Sequence, residues 1–183
     1  MNIRSTLLTL ACTASLMAGS GQESAKVAIG PVAFQTYAEG TYFHISTRVT
    51  YAELSTQTPA MAAALAKTLK EAGIPTFGPL LIIQRGASED RGKPFDQEVG
   101  ILVPKGTKAF GEAKVRDLSP FPCATSVTSG DFAGEGAHAA FMTLFKAAGE
   151  RGRIPTGEIR EMLLFWEGQG SANNLMQVQI GLR

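Results

Sequence analysis

The chain has 183 residues, 44% of them hydrophobic and 18% charged, with a formal net charge of +1. That length holds one domain with a real core, and the apolar content excludes a disordered chain. Seventeen Lys and Arg against sixteen Asp and Glu leave no basic surface of the kind that phosphate-backbone binding needs, and two cysteines exclude a disulfide framework.

The N-terminus reads as a targeting segment. Asn2-Ile3-Arg4 is a short positive start, and Leu7 to Gly19 is an uncharged apolar run, shorter than the roughly 20 residues a membrane-spanning helix needs. Ala18 and Ser20 suit a signal-peptidase site, so residues 1–20 are expected to be a secretory signal peptide and the protein periplasmic or secreted. Lipidation at Cys12 is the weaker reading, because the apolar stretch before it is short and Thr9 suits a lipoprotein box poorly. Cleavage after Ser20 leaves Cys123 as the only cysteine, read as a small buried hydrophobe. Residues 21–33 form an N-terminal extension, and 34–183 the folded domain.

That domain reads as a duplication. Thr47-Arg48-Val49-Thr50 echoes Thr125-Ser126-Val127-Thr128, Ile74-Pro75-Thr76 recurs as Ile154-Pro155-Thr156, and Glu98-Val99-Gly100-Ile101 lines up with Gln177-Val178-Gln179-Ile180. In chain order, Tyr42 to Thr50 is a predicted strand, rich in β-branched and aromatic residues. Thr58-Pro59 opens a predicted helix carrying Met61, Leu65 and Leu69, stopped by Gly73. Strands follow at Leu80 to Arg85 and Glu98 to Val103, then a loop around Lys105 to Glu112. The second half repeats the order: a strand at Cys123 to Thr128, a helix from about Gly136 to Ala148, and strands at Met162 to Glu167 and Leu175 to Leu182. The fold class is therefore α+β, two β-α-β-β units over about 34–104 and 113–183. Their antiparallel sheet is expected to carry helices on one face and a ligand groove on the other.

The closing strands assign the faces. Val99, Ile101 and Val103, and in the second unit Val178, Ile180 and Leu182, alternate toward the helices. Glu98, Gln177 and Gln179 then fall on the opposite face beside Gly100 and Gly181, where glycines are expected to leave room for a ligand.

This pattern resembles the GyrI-like small-molecule-binding domain, the effector-binding domain of multidrug-responsive and AraC-type transcription regulators. The segments that carry the likeness are Val115-Arg116-Asp117-Leu118-Ser119-Pro120, Gly78-Pro79, Phe95 to Ile101 and Met176 to Leu182. The resemblance spans roughly 34–183 and implies a pseudo-twofold groove for flat, cationic or aromatic ligands. It also implies a glutamate in the closing strand, where this chain has Gln177, and a glutamate or tyrosine in the strand before it, where Met162-Leu163-Leu164-Phe165-Trp166 is apolar. The groove is thus expected to be more apolar and less acidic than a multidrug sensor's. Glu98, Gln177 and Gln179 are its candidate polar contacts, Trp166 an aromatic wall, and Tyr42 and Leu164 further lining residues.

The expected function is non-catalytic binding of an apolar or aromatic small molecule, with no cofactor, no metal, no catalytic residue and no nucleic-acid partner. Some relatives resemble hydrolases that open small electrophiles with a glutamate and a tyrosine; only Glu98 is available for such a role. Haem binding of the SOUL type is a further alternative, without an obvious histidine ligand. Gly134 to Ala139 fits a dinucleotide fingerprint, but the first unit has no glycine at the matching place, and helix opening is the better reading. His44 and His138 lack metal-ligand spacing. Ser88 to Pro94 is read as a solvated loop between strands.

Overall fold

The computed structural model describes residues 27–183 apart from 77, 89, 133, 134 and 169, and the signal-peptide reading lies outside the described residues. Nine strands and two helices run in the order β1 (Ala28–Ile29), β2 (Ala33–Tyr37), β3 (Gly40–Val49), α1 (Leu54–Glu71), β4 (Leu80–Arg85), β5 (Phe95–Val103), β6 (Lys114–Leu118), β7 (Phe121–Ser129), α2 (Glu135–Glu150), β8 (Pro155–Phe165) and β9 (Leu175–Leu182). The expected α+β class holds.

All nine strands join one sheet, ordered β1-β7-β9-β8-β4-β5-β3-β6, with β2 also on β7, and every pairing is antiparallel. Read inward from its two ends, the order is β3-β5-β4 on one side and β7-β9-β8 on the other, meeting where β4 pairs β8. The outer strands cross over. β6 leads directly into β7 yet pairs with β3, and β2 leads into β3 yet pairs with β7. Each half is therefore closed by a strand belonging to the other, which ties the two together through backbone hydrogen bonds.

The helix ends follow local chemistry. A 3₁₀ turn at Tyr51–Glu53 precedes α1, and the Glu53 carboxylate accepts from the Thr50 amide at 2.7 Å and from its hydroxyl at 2.9 Å. That side-chain cap starts the helical path well before Thr58-Pro59, the start expected from sequence, and leaves Pro59 inside the helix. Both helices end alike. Gly73 and Gly152 adopt left-handed backbone at φ 64° and 65°. The next residue's amide reaches back to the helix, Ile74 to the Leu69 carbonyl at 3.0 Å and Arg153 to the Ala148 carbonyl at 2.9 Å. Ile-Pro-Thr then leaves each helix, as its recurrence suggested.

Two cores lie on the helix side. Under α1, Phe43, Ile45, Val99 and Ile101 pack against Met61, Leu65 and Leu69; under α2, Met176, Val178, Ile180 and Leu182 pack against Phe141, Leu144 and Ala148. The alternation read in the closing strands is thus correct. A smaller apolar group of Tyr42, Leu81, Ile83 and Leu118 packs on the opposite face.

Candidate functional site

The helices do not cover the sheet evenly. α1 packs on β3 and β5, and α2 on β7 and β9, so β4 and β8 form the floor between them. Along that floor the register places Leu80 beside Leu163, Ile82 beside Glu161, and Gln84 beside Ile159. Leu80, Ile159, Glu161 and Leu163 keep partial exposure although they face the helix side. Leu163 packs against both cores, so this part of the floor lies where the halves meet.

Glu161 is the anomaly of this floor. Its strand neighbours are Ile82, from the core under α1, and Val178, from the core under α2. No hydrogen bond or ion pair within the described residues reaches its carboxylate. Loss of hydration alone pushes its pKa up to about 7. An isolated carboxylate on an apolar floor is costly to ionise, and a cation that brought its own apolar body would relieve that cost.

The opposite face carries a different constellation. Arg116, Glu98, Arg85, Glu158 and Arg160 alternate in sign across the sheet. Arg116 donates to Glu98 at 2.6 Å, Arg85 donates to Glu98 at 3.0 Å and to Glu158 at 2.6 Å, and Arg160 donates to Glu158 at 2.7 Å. Burial disfavours the Glu98 anion, but the Arg116 hydrogen bond and the charges of Arg85 and Arg116 outweigh it and hold its pKa below the usual range. Burial lowers the Arg160 pKa despite Glu158, and the guanidinium lies 3.5 Å from the Phe121 ring centroid. These side chains line a cleft of about 780 Å³ that also reaches Asp117 and Pro120. Nearby, His44 stacks on Tyr42 with centroids 4.9 Å apart, and burial lowers its pKa although Glu98 opposes this.

The sequence-predicted residues are dispersed by this geometry. Glu98 sits in the arginine network. Gln179 is buried, and its amide lies 3.5 Å from that of half-buried Gln177, on the same face. Tyr42 is fully buried, its hydroxyl donating to the Leu81 carbonyl at 2.7 Å. Leu164 and Trp166 are exposed, at and beyond the end of β8. The expected room beside the glycines is absent. A Cβ on Gly100 would lie 2.6 Å from the Tyr42 ring, and one on Gly181 would lie 2.8 Å from the Phe121 ring. Aromatic side chains diagonal on the neighbouring strand fill both gaps, because a glycine without a side chain leaves a slot that a ring covers. The expected apolar surface is likewise corrected: this face is a mosaic of paired charges, three arginines against two glutamates.

The sequence reading missed Glu161 by starting the eighth strand at Met162, whereas the strand begins at Pro155. A signal was present. Ile159, Glu161 and Leu163 share one face of an alternating strand, with a carboxylate where an apolar residue belongs.

No known family profile and no curated relative matches this sequence. Solved structures do match in fold. The EcmrR C-terminal domain superposes with a TM-score of 0.69 at 16% identity, covering 84% of this chain and 97% of that one. EcmrR in its complex with DNA gives 0.71 at 13% identity, and this chain spans only 57% of its length. SAV2435 bound to tetraphenylphosphonium gives 0.58 at 7% identity, covering 84% and 94%. A Listeria innocua hydrolase gives 0.57 at 9%, covering 83% and 91%. The α+β fold is thus shared with the EcmrR C-terminal domain, consistent with the arrangement that the GyrI-like resemblance implied.

Proposed function

We propose that this protein binds small lipophilic cations on the floor between α1 and α2, with the Glu161 carboxylate as counter-charge. The ligand site then lies on the helix side, not on the opposite face. The observation that carries this reading is Glu161 itself, unpaired among apolar neighbours where the two cores meet. Binding of tetraphenylphosphonium by SAV2435, which shares the fold, supports the same ligand chemistry. The segment 1–20 supports an exported protein, and the balanced net charge argues against nucleic acid as a partner. Among the described residues no helix is long and apolar enough to cross a membrane.

The reading is of binding without catalysis. Glu98, the base expected from sequence, is a poor one, because a carboxylate held ionised by two arginines takes up a proton poorly. Cys123 offers no nucleophile, because burial pushes its thiol up to about 11. His44, 3% exposed against Tyr42, is poorly placed to reach a haem iron.

Titration calorimetry with tetraphenylphosphonium at pH 8 tests the proposal. The wild-type protein is expected to bind saturably and Glu161→Gln to bind at least about tenfold more weakly, the loss of one charge contact in a low-dielectric site. Equal affinity in the two proteins would remove the basis of the reading.

A further inference from the structure

The open face of the sheet also leaves charge over. Its carboxylates are balanced, but its guanidiniums are not. The row Arg116, Glu98, Arg85, Glu158 and Arg160 has a cation at each end, so three positive charges meet two negative ones. Neighbouring acids do not make up the difference. Asp117 follows Arg116 on β6 and so points to the other side of the strand, where its carboxylate accepts from Thr41 at 3.0 Å. Asp96 is exposed and pairs with exposed Arg48 at 3.4 Å.

The fold brings the two end arginines to one place. Only Ser119-Pro120 separates β6 from β7, and only Ala38-Glu39 separates β2 from β3. The pairing therefore runs on in one register, from Ala33 opposite Thr125 to His44 opposite Lys114, and this ladder joins the two ends of the sheet. One of its strands carries both Arg116, which bonds Glu98, and Phe121, which covers the Arg160 guanidinium. Arg116 and Arg160 thus line the same cleft of about 780 Å³. Burial lowers the Arg160 pKa most, and of its two cationic neighbours Arg116 lowers it more than Arg85, although Arg85 shares Glu158 with it.

Each end arginine keeps a nitrogen unused. Arg116 gives Nε and Nη2 to Glu98 at 3.3 and 2.6 Å, and Arg160 gives Nε and Nη2 to Glu158 at 2.7 and 2.6 Å. Neither Nη1 has a partner among the described residues. A guanidinium carries donors only, so no exchange of donor and acceptor roles removes this surplus. The Arg160 side chain is only 9% exposed. Yet among the described residues Gln97 Oε1 is the one fully buried side-chain polar atom without a partner, so Arg160 Nη1 still reaches the cleft. Phe121, Pro120 and Leu182 make the neighbouring wall apolar.

We propose that this cleft binds a monocarboxylate on an apolar body, its carboxylate bridging Arg116 and Arg160. One surplus charge matches a monoanion, and two free N–H groups match the two oxygens of a planar carboxylate. Phe121 and Leu182 receive the apolar part. This is a second site, on the other face of the sheet from Glu161, and it stands or falls independently of the cation site.

Calorimetric titration at pH 8 and low salt with 2-naphthoate, 2-naphthamide and inorganic phosphate tests it. The wild-type protein is expected to bind 2-naphthoate saturably and at least about tenfold more tightly than the neutral amide or the phosphate dianion, the difference of one charge-assisted contact. Arg160→Gln and Arg116→Gln each leave Glu98 and Glu158 bonded to Arg85, and each is expected to weaken 2-naphthoate about tenfold, with thermal melting to confirm folding. Glu161→Gln is expected to bind it as the wild type does. The arginine Nε–Hε resonances of the wild type need no variant, and those of Arg116 and Arg160 are expected to move on adding 2-naphthoate. Any one of four results overturns the proposal: no saturable binding, equal affinity for acid and amide, tighter binding of phosphate, or 2-naphthoate affinity that survives in both arginine variants or falls in Glu161→Gln.

Discussion

Glu161 and Glu98 are the same side chain on two faces of one sheet, and the fold treats them in opposite ways. Glu161, on the helix side, has apolar strand neighbours and no partner among the described residues, and its pKa rises to about 7. Glu98, on the open side, is also removed from water but receives Arg116 and Arg85, and its pKa falls. Burial acts on both in the same direction; only the partners differ. A carboxylate with its charge already balanced holds a structure together, whereas one left unbalanced is available to a cation from outside. On the proposed reading, that difference gives a structural part to the arginine network and a binding part to the floor between the helices.

The largest expected effect comes from removing the balanced carboxylate. Glu98→Ala leaves Arg85 and Arg116 without their shared partner, and because its side chain is only 13% exposed the loss is expected to be about 3 kcal/mol in urea unfolding. A loss below about 1 kcal/mol would place the network with ordinary surface pairs. Next is the packing beneath that face. Gly100→Ala puts a methyl against the Phe43 carbonyl and the Tyr42 ring, with an expected cost of about 1–3 kcal/mol. An unchanged melting temperature would mean that the slot is open after all.

Comparable in size is the pH dependence that sets the two carboxylates apart. The Glu161 pKa is higher in the folded protein than its ordinary 4.5, so the folded state holds the proton more tightly. Its contribution to stability is full below about pH 4.5, is lost as the pH rises toward 7, and is flat above. Glu98 runs the other way: its depressed pKa stabilises the fold above the ordinary carboxylate range, and that stability is lost on acidification. Unfolding free energies of wild type and Glu161→Gln, compared between pH 4.5 and 8, should diverge as the pH rises, with the variant the more stable at pH 8. Parallel curves would show that Glu161 is hydrated like any surface residue.

Much of the fold was legible before any coordinates, because periodicity reports burial on one face. Val99, Ile101, Val178 and Ile180 were assigned to the helix side by alternation alone, and Gly73 marked a helix end that the structure confirms. The start of α1 was misplaced because Pro59 is a strong local signal, while the Thr50–Glu53 contact that begins the helical path depends on geometry. The candidate site was less legible. Alternation placed Glu98 and Gln179 on one face, yet nothing along the strand announced that Arg116, 18 residues from Glu98, would meet it. Glu161 went unread because its strand was begun at Met162, seven residues after its true start at Pro155, and a strand's meaning lies in its phase.

Composition, alternation and turn chemistry by themselves determined an α+β chain with two helices, the inward faces of its closing strands and the absence of a disulfide framework. The tertiary structure alone decided which polar residues are balanced and which are not. The crossing of β2 and β6 between halves, the uneven cover of the helices and the β4–β8 junction bring distant residues together or keep them apart. A charge acts according to what lies within a few ångströms of it, and in a sheet most of those neighbours belong to other strands.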